Sequence, residues 1–185
     1  MQTEIILSGF GGQGALFAGM VLAHAGMEQG QYVTWIPSYG PEMRGGTAHV
    51  TVILSDAVIG SPLVQHPAVV LALNNPSMAK YEPLVKTEGV LVYNSSLIHS
   101  SPQRTDLSYV AVPANDIAAE LDELKLANIV ALGALVAATQ VLPLNPILSA
   151  LHHYKPELSA LNEQALRRGA QLIKPLKVRT QPVAV

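Results

Sequence analysis

A chain of 185 residues, 49% of them hydrophobic, can bury one proper core and hardly two. The absence of cysteine excludes a disulfide framework, a thiolate nucleophile and a cysteine-ligated iron–sulfur cluster. A net charge of −2, with Lys and Arg scattered except at the extreme C-terminus, leaves no electrostatic footprint for nucleic acid. In chain order, residues 4–8 are a short β-rich run of the kind buried in a parallel sheet. A glycine-rich turn follows, then a helix over 15–28 ended by Gln29-Gly30, then a strand over 32–36 stopped by Pro37. Together these read as one βαβ unit.

Past the loop SYGPEMRGG (38–46), residues 47–54 alternate Ala48, Val50, Val52, Leu54 against Thr47, His49, Thr51, Ile53, so one face is wetter. Ser55-Asp56-Ala57 could return this strand into 58–60 as a hairpin or antiparallel edge. Runs 69–73 and 90–94 are buried strands separated by a helix over about 77–85, with Pro76 suited to its first turn. The last strand is 109–112, and Asn115 or Asp116 is placed to cap a helix through 117–121. Residues 129–142 are apolar nearly all round and read as a buried helix. Leu158, Leu161, Ala165, Leu166 and Leu172 mark a final amphipathic one. The pattern predicts one domain over 1–175, a flexible tail over 176–185, and a three-layer α/β/α, Rossmann-like, mostly parallel sheet with an antiparallel edge or hairpin.

The longest uncharged apolar stretch, 129–139, is far shorter than the roughly 20 residues of a membrane span. With no basic-then-apolar leader ahead of the first strand, the expectation is a cytoplasmic chain with no membrane partner. Charged residues make up 13%, against about 25% in an average chain. Much of the surface is therefore expected to face another protein.

GFGGQG (9–14) has the spacing of a dinucleotide turn. Gly9 permits the tight turn, Gly11 and Gly12 let backbone N–H groups approach a ligand, and Gly14 allows helix and strand to pack. An anion there gains unpaired donors and the helix dipole. A nicotinamide dinucleotide fits poorly, because the strand ending Thr34-Trp35-Ile36-Pro37-Ser38 carries no acid for the ribose. In the second loop Arg44 presents a planar fork for a carboxylate or phosphate, Glu42 is its nearest acceptor, and Gly45-Gly46 permit a sharp bend. His49 reads as a packed residue rather than a catalyst, and the adjacent His152 and His153 do not make a metal pair.

GFGGQG, SYGPEMRGG, GSP (60–62) and ANIVALGA (127–134), in that order and at these separations, closely resemble the gamma subunit of 2-oxoacid:acceptor (ferredoxin or flavodoxin) oxidoreductases. The likeness runs to about residue 175 and is nearest the 2-oxoglutarate and 2-oxoisovalerate types, the module resembling domain III of pyruvate:ferredoxin oxidoreductase. It implies oxidative decarboxylation of a 2-oxoacid to acyl-CoA and CO2. Thiamine diphosphate and Mg are expected on alpha and beta partners, and iron–sulfur clusters on beta or delta partners. Ferredoxin or flavodoxin is the implied acceptor, and a gamma–gamma contact is open.

This chain is then expected to be inactive alone, with no catalytic residue, no metal ligand and no firmly held cofactor. Gly9, Gly11, Gly12, Gln13 and Gly14 are placed near the entry path of coenzyme A. Tyr39, Glu42, Arg44, Gly45 and Gly46 are placed to fix the second loop against a partner, and Asn128 either caps the buried helix or offers its amide to a partner. Where the family often carries Asp ahead of the strand at 69, this chain has Pro67-Ala68. The alternatives are a stand-alone nucleotide-binding or scaffold module and a nucleotide-dependent oxidoreductase.

Overall fold

The computed structural model describes residues 1–39, 47–174 and 176. Six strands, β1 (Gln2–Phe10), β2 (Tyr32–Tyr39), β3 (Thr47–Ser55), β4 (Val69–Ala72), β5 (Val90–Asn94) and β6 (Ser108–Val112), form one sheet in the order β2-β3-β1-β4-β5-β6. The pairs β1–β4, β4–β5 and β5–β6 are parallel, whereas β3 is antiparallel to both β1 and β2. The α/β class and the antiparallel edge agree with the sequence reading. β1, α1 and β2 keep the parallel βαβ connection, but its strands are not neighbours: β3 is inserted between them, matching β1 over its whole length from Gln2 opposite Ser55 to Phe10 opposite Thr47. A link as short as 40–46 joins antiparallel neighbours, while a parallel crossover takes a dozen residues or more.

Alternation then sets the layers. Ile5, Leu7, Val50, Val52 and Leu54 face the large core with α1 (Ala15–Glu28) and α4 (Ala127–Thr139), and α3 (Ala114–Glu120), α5 (Leu144–Tyr154) and α6 (Ser159–Gln171) join that side. Ile6, Val70 and Leu91 face a smaller core under α2 (Asn75–Tyr81) with Met78, Tyr81 and Val85. α4 is buried all round, as its composition requires.

Several boundaries move for local reasons. β2 runs through Pro37, which an edge strand tolerates because no neighbour needs its missing N–H. No second strand forms at 58–60, so the hairpin expected there is absent. α2 starts at Asn75 with Pro76 in its first turn, as read from sequence, and Asn74 caps it, its Oδ1 accepting from Ser77 N at 2.9 Å. The helix becomes a single 3-10 turn, Glu82–Leu84, around Pro83. α3 begins at Ala114 behind Pro113, so Asn115 lies inside the first turn and caps nothing. α4 ends at Gln140, whose φ of 51° is left-handed, leaving room for α5, which the sequence reading left unassigned. Leu176 N donates to the Ala138 carbonyl at 2.8 Å.

Candidate functional site

The carboxyl ends of β1, β4 and β5 and the amino ends of α3 and α4 converge on one cleft, the position where open α/β sheets hold ligands. It measures about 180 Å³ and is lined by Gly12, Gln13, Asn94, Asn115, Lys125 and Asn128, with Leu73, Leu124 and Ala127 completing the wall. A second hollow, about 530 Å³, lies at the opposite end of α4 between Val136, Leu142, Leu144 and Arg167. Its wall is mostly apolar, whereas the smaller cleft adjoins the glycine turn and gathers several polar groups, which makes the smaller cleft the candidate site.

The glycine turn is built from its own side chain. Gln13 Oε1 accepts from Phe10 N at 2.7 Å and from Asn74 Nδ2 at 2.8 Å, while Gln13 Nε2 reaches the Leu73 carbonyl at 3.4 Å. Because Asn74 also caps α2, the turn and that helix share one hydrogen-bonded frame. The glycines now separate by cause. A Cβ on Gly9 would lie 2.9 Å from Gln13 Oε1 and 3.2 Å from Leu73 Cβ, and one on Gly14 would run into the Asn128 amide. Gly12 and Gly14 have φ of 98° and 78°. Gly11 has neither constraint, with nothing among the described residues within 4 Å of its missing Cβ.

Asn128 neither caps nor starts α4, whose N-cap is Leu126. Its Nδ2 donates to the Gly14 carbonyl at 3.1 Å, and its Oδ1 is buried without a partner. Asn94 Oδ1 accepts from Ala114 N at 3.2 Å and Ser96 N at 3.3 Å, while its Nδ2 donates to Asn115 Oδ1 at 2.7 Å. Lys125, beside them, makes no ion pair among the described residues. Backbone donors, amides and one ammonium make a neutral-to-cationic pocket suited to a phosphate-bearing ligand.

Of the residues singled out from sequence, Gly12, Gln13 and Asn128 line the cleft together, with Gly9, Gly11 and Gly14 in the same turn. Tyr39 stands apart at the end of edge strand β2, 72% exposed. Glu42, Arg44, Gly45 and Gly46 lie outside the described residues. Lys125, Asn94 and Asn115 were missed, although polar residues at the carboxyl end of a parallel strand, as Asn94 is, carry that signal. His49 packs its ring 5.6 Å from that of Tyr81, and burial, reinforced by the Lys80 ammonium, holds its imidazole below the usual range. Among the described residues no cluster of His, Asp or Glu is arranged to hold a metal ion.

A family model described as pyruvate ferredoxin/flavodoxin oxidoreductase matches residues 4–172. The chain is 33% identical over 181 residues to 2-oxoglutarate synthase subunit KorC of Methanothermobacter marburgensis, covering 94% of this chain and 97% of that one. It is 37% identical over 136 residues to ketoisovalerate oxidoreductase subunit VorA of the same organism, where it covers 74% of this chain but only 28% of that protein's length. The crystal structure of a keto/oxoacid ferredoxin oxidoreductase gamma subunit from Geobacter sulfurreducens PCA superposes with a TM-score of 0.80 at 34% identity, covering 91% of this chain and 96% of that one. The chain therefore belongs to the pyruvate ferredoxin/flavodoxin oxidoreductase family and has the fold of a gamma subunit.

Proposed function

We propose that this chain is the gamma subunit of a 2-oxoacid:ferredoxin or flavodoxin oxidoreductase and that its cleft receives the phosphates of coenzyme A. In that reaction a 2-oxoacid and the coenzyme A thiol give acyl-CoA and CO2 while two electrons pass to the acceptor. Thiamine diphosphate, bound by alpha and beta partners, supplies the carbanion chemistry, and partner clusters carry the electrons. A chain with no cysteine contributes no thiolate ligand to those clusters. Its own residues hold and orient the coenzyme: Gly11 and Gly12 N–H groups toward phosphate oxygens, Lys125 as counter-charge, and Gln13 and Asn128 keeping the turn in shape. Tyr39, with Glu42, Arg44, Gly45 and Gly46, belongs to the surface that meets a partner.

The observation that carries this reading is Gly11. Among the described residues neither packing nor a left-handed backbone requires a glycine there, which leaves room for a close approach by a bound ligand. Gly11→Asp places a carboxylate at that spot without a clash against any described residue. In the assembled complex it should raise KM for coenzyme A at least tenfold with kcat little changed, the signature of lost ground-state binding. An unaltered KM would remove the phosphate role. The substrate we assign is 2-oxoglutarate or a branched-chain 2-oxoacid, recognised by the partner subunits.

A further inference from the structure

On the side of the sheet covered by α2, a hollow of about 340 Å³ opens between the turn after that helix and the connection that follows β5. Met78, Ala79 and Pro83 give it an apolar wall. Glu82 lines it too, although that residue is only 6% exposed. Its Oε1 is satisfied inside the chain: Gln103 N donates to it at 2.8 Å and the Tyr109 hydroxyl donates as well, which ties the 95–107 connection and β6 to the turn. Its Oε2 has neither a hydrogen bond nor an ion pair among the described residues.

Arg104 lines the same hollow, yet its three nitrogens are engaged elsewhere. Nε and Nη2 hold the Asp106 carboxylate at 2.9 and 2.5 Å, and Nη1 donates to the main-chain carbonyls of Glu82 and Val85 at 3.1 and 2.6 Å. A carboxylate withdrawn from water is stable as an anion only beside a counter-charge, and here that charge is not supplied by the chain. Ser101, in the same wall, adds a hydroxyl with no hydrogen bond among the described residues.

We propose that this hollow is a binding site for a small organic ammonium ion, whose N–H groups go to Glu82 Oε2 and the Ser101 hydroxyl while its apolar body lies on Met78, Ala79 and Pro83. The sign of the ligand follows from the unpaired carboxylate: an anion would meet like charge, and a neutral molecule would leave the charge uncompensated. Its apolar body follows from the wall. Its size follows from the volume, which falls within the roughly 300–1,000 Å³ of small-molecule pockets. The hollow shares no lining residue with the coenzyme cleft, so the two sites can be tested separately.

The test titrates the full-length chain with benzylammonium chloride, using benzyl alcohol and benzoate as neutral and anionic counterparts, and follows the backbone amide resonances of Ser101, Gln103 and Arg104 by NMR. Benzylammonium should shift them saturably and bind about tenfold tighter than the alcohol, and benzoate should not bind. Glu82→Gln keeps an oxygen for Gln103 N and Tyr109 while removing the charge, so it should weaken benzylammonium about tenfold with resonances elsewhere unchanged. Should that variant fail to fold, Ala79→Trp, which fills the hollow from an exposed helix position, should abolish binding. Absence of a saturable shift, equal affinity for alcohol and ammonium, or undiminished binding by either folded variant overturns the site. Binding to the isolated chain that disappears in the complex purified with its partners also overturns it, because a partner side chain then fills the hollow.

Discussion

Four glycines in six residues look equivalent as a string and are not equivalent in space. Gly14 combines a φ of 78° with contact against the Asn128 amide, so Gly14→Ala should lose about 2–3 kcal/mol, summing the left-handed penalty and a broken side-chain hydrogen bond. Gly11→Ala should stay within about 0.5 kcal/mol of wild type. Urea melts of the two variants check the difference. Lys125→Ala should leave stability unchanged and raise KM for coenzyme A several-fold, with a weaker salt dependence than wild type.

His49 supplies a pH prediction at the same scale. Its folded pKa lies below the unfolded value of about 6.5, so the unfolded chain binds the extra proton. Its contribution is present above that pH and lost as pH falls through the folded value. His49→Gln should flatten the stability profile as pH falls below about 6.5, read by thermal melts on either side of that value. Tyr109 behaves otherwise: burial and its hydrogen bond to the Glu82 carboxylate push its phenol up to about 12, so it stays protonated and holds the 95–107 connection to the turn after α2.

Among the elements, the crossing of α4 and α6 is the tightest. A Cβ on Gly133 would strike the Leu166 carbonyl, and one on Gly169 the Val130 carbonyl, so the helices approach backbone to backbone. Gly169→Ala should cost about 2 kcal/mol net: overpacking against rigid backbone takes about 3, and better helix propensity returns about 1. A drop in melting temperature without loss of helical circular dichroism checks it. Element types were legible because period-two alternation in 47–54 and the all-round apolar run after 129 are local patterns. The α5 helix was not, since Pro143 and Pro146 mask its start and its apolar face shows only against α1.

At the scale of the whole molecule, the carboxyl edge of the sheet gathers the glycine turn, three asparagines and Lys125 into one cleft. No helix among the described residues is long and apolar enough to cross a membrane.

By itself the sequence determined the α/β class, the positions of most strands and helices, the glycine turn at a helix start and the impossibility of thiolate chemistry. These depend on spacing and residue type within a few neighbours. The tertiary structure alone decided that β3 separates β1 from β2, which moves the end of β2 away from the glycine turn, where a dinucleotide-binding acid would have stood. It also decided that Lys125, more than 110 residues after Gly12, faces the same cleft. Ladder partners and cleft walls are chosen by hydrogen bonds and packing between distant segments, and no local pattern encodes which distant segment will arrive.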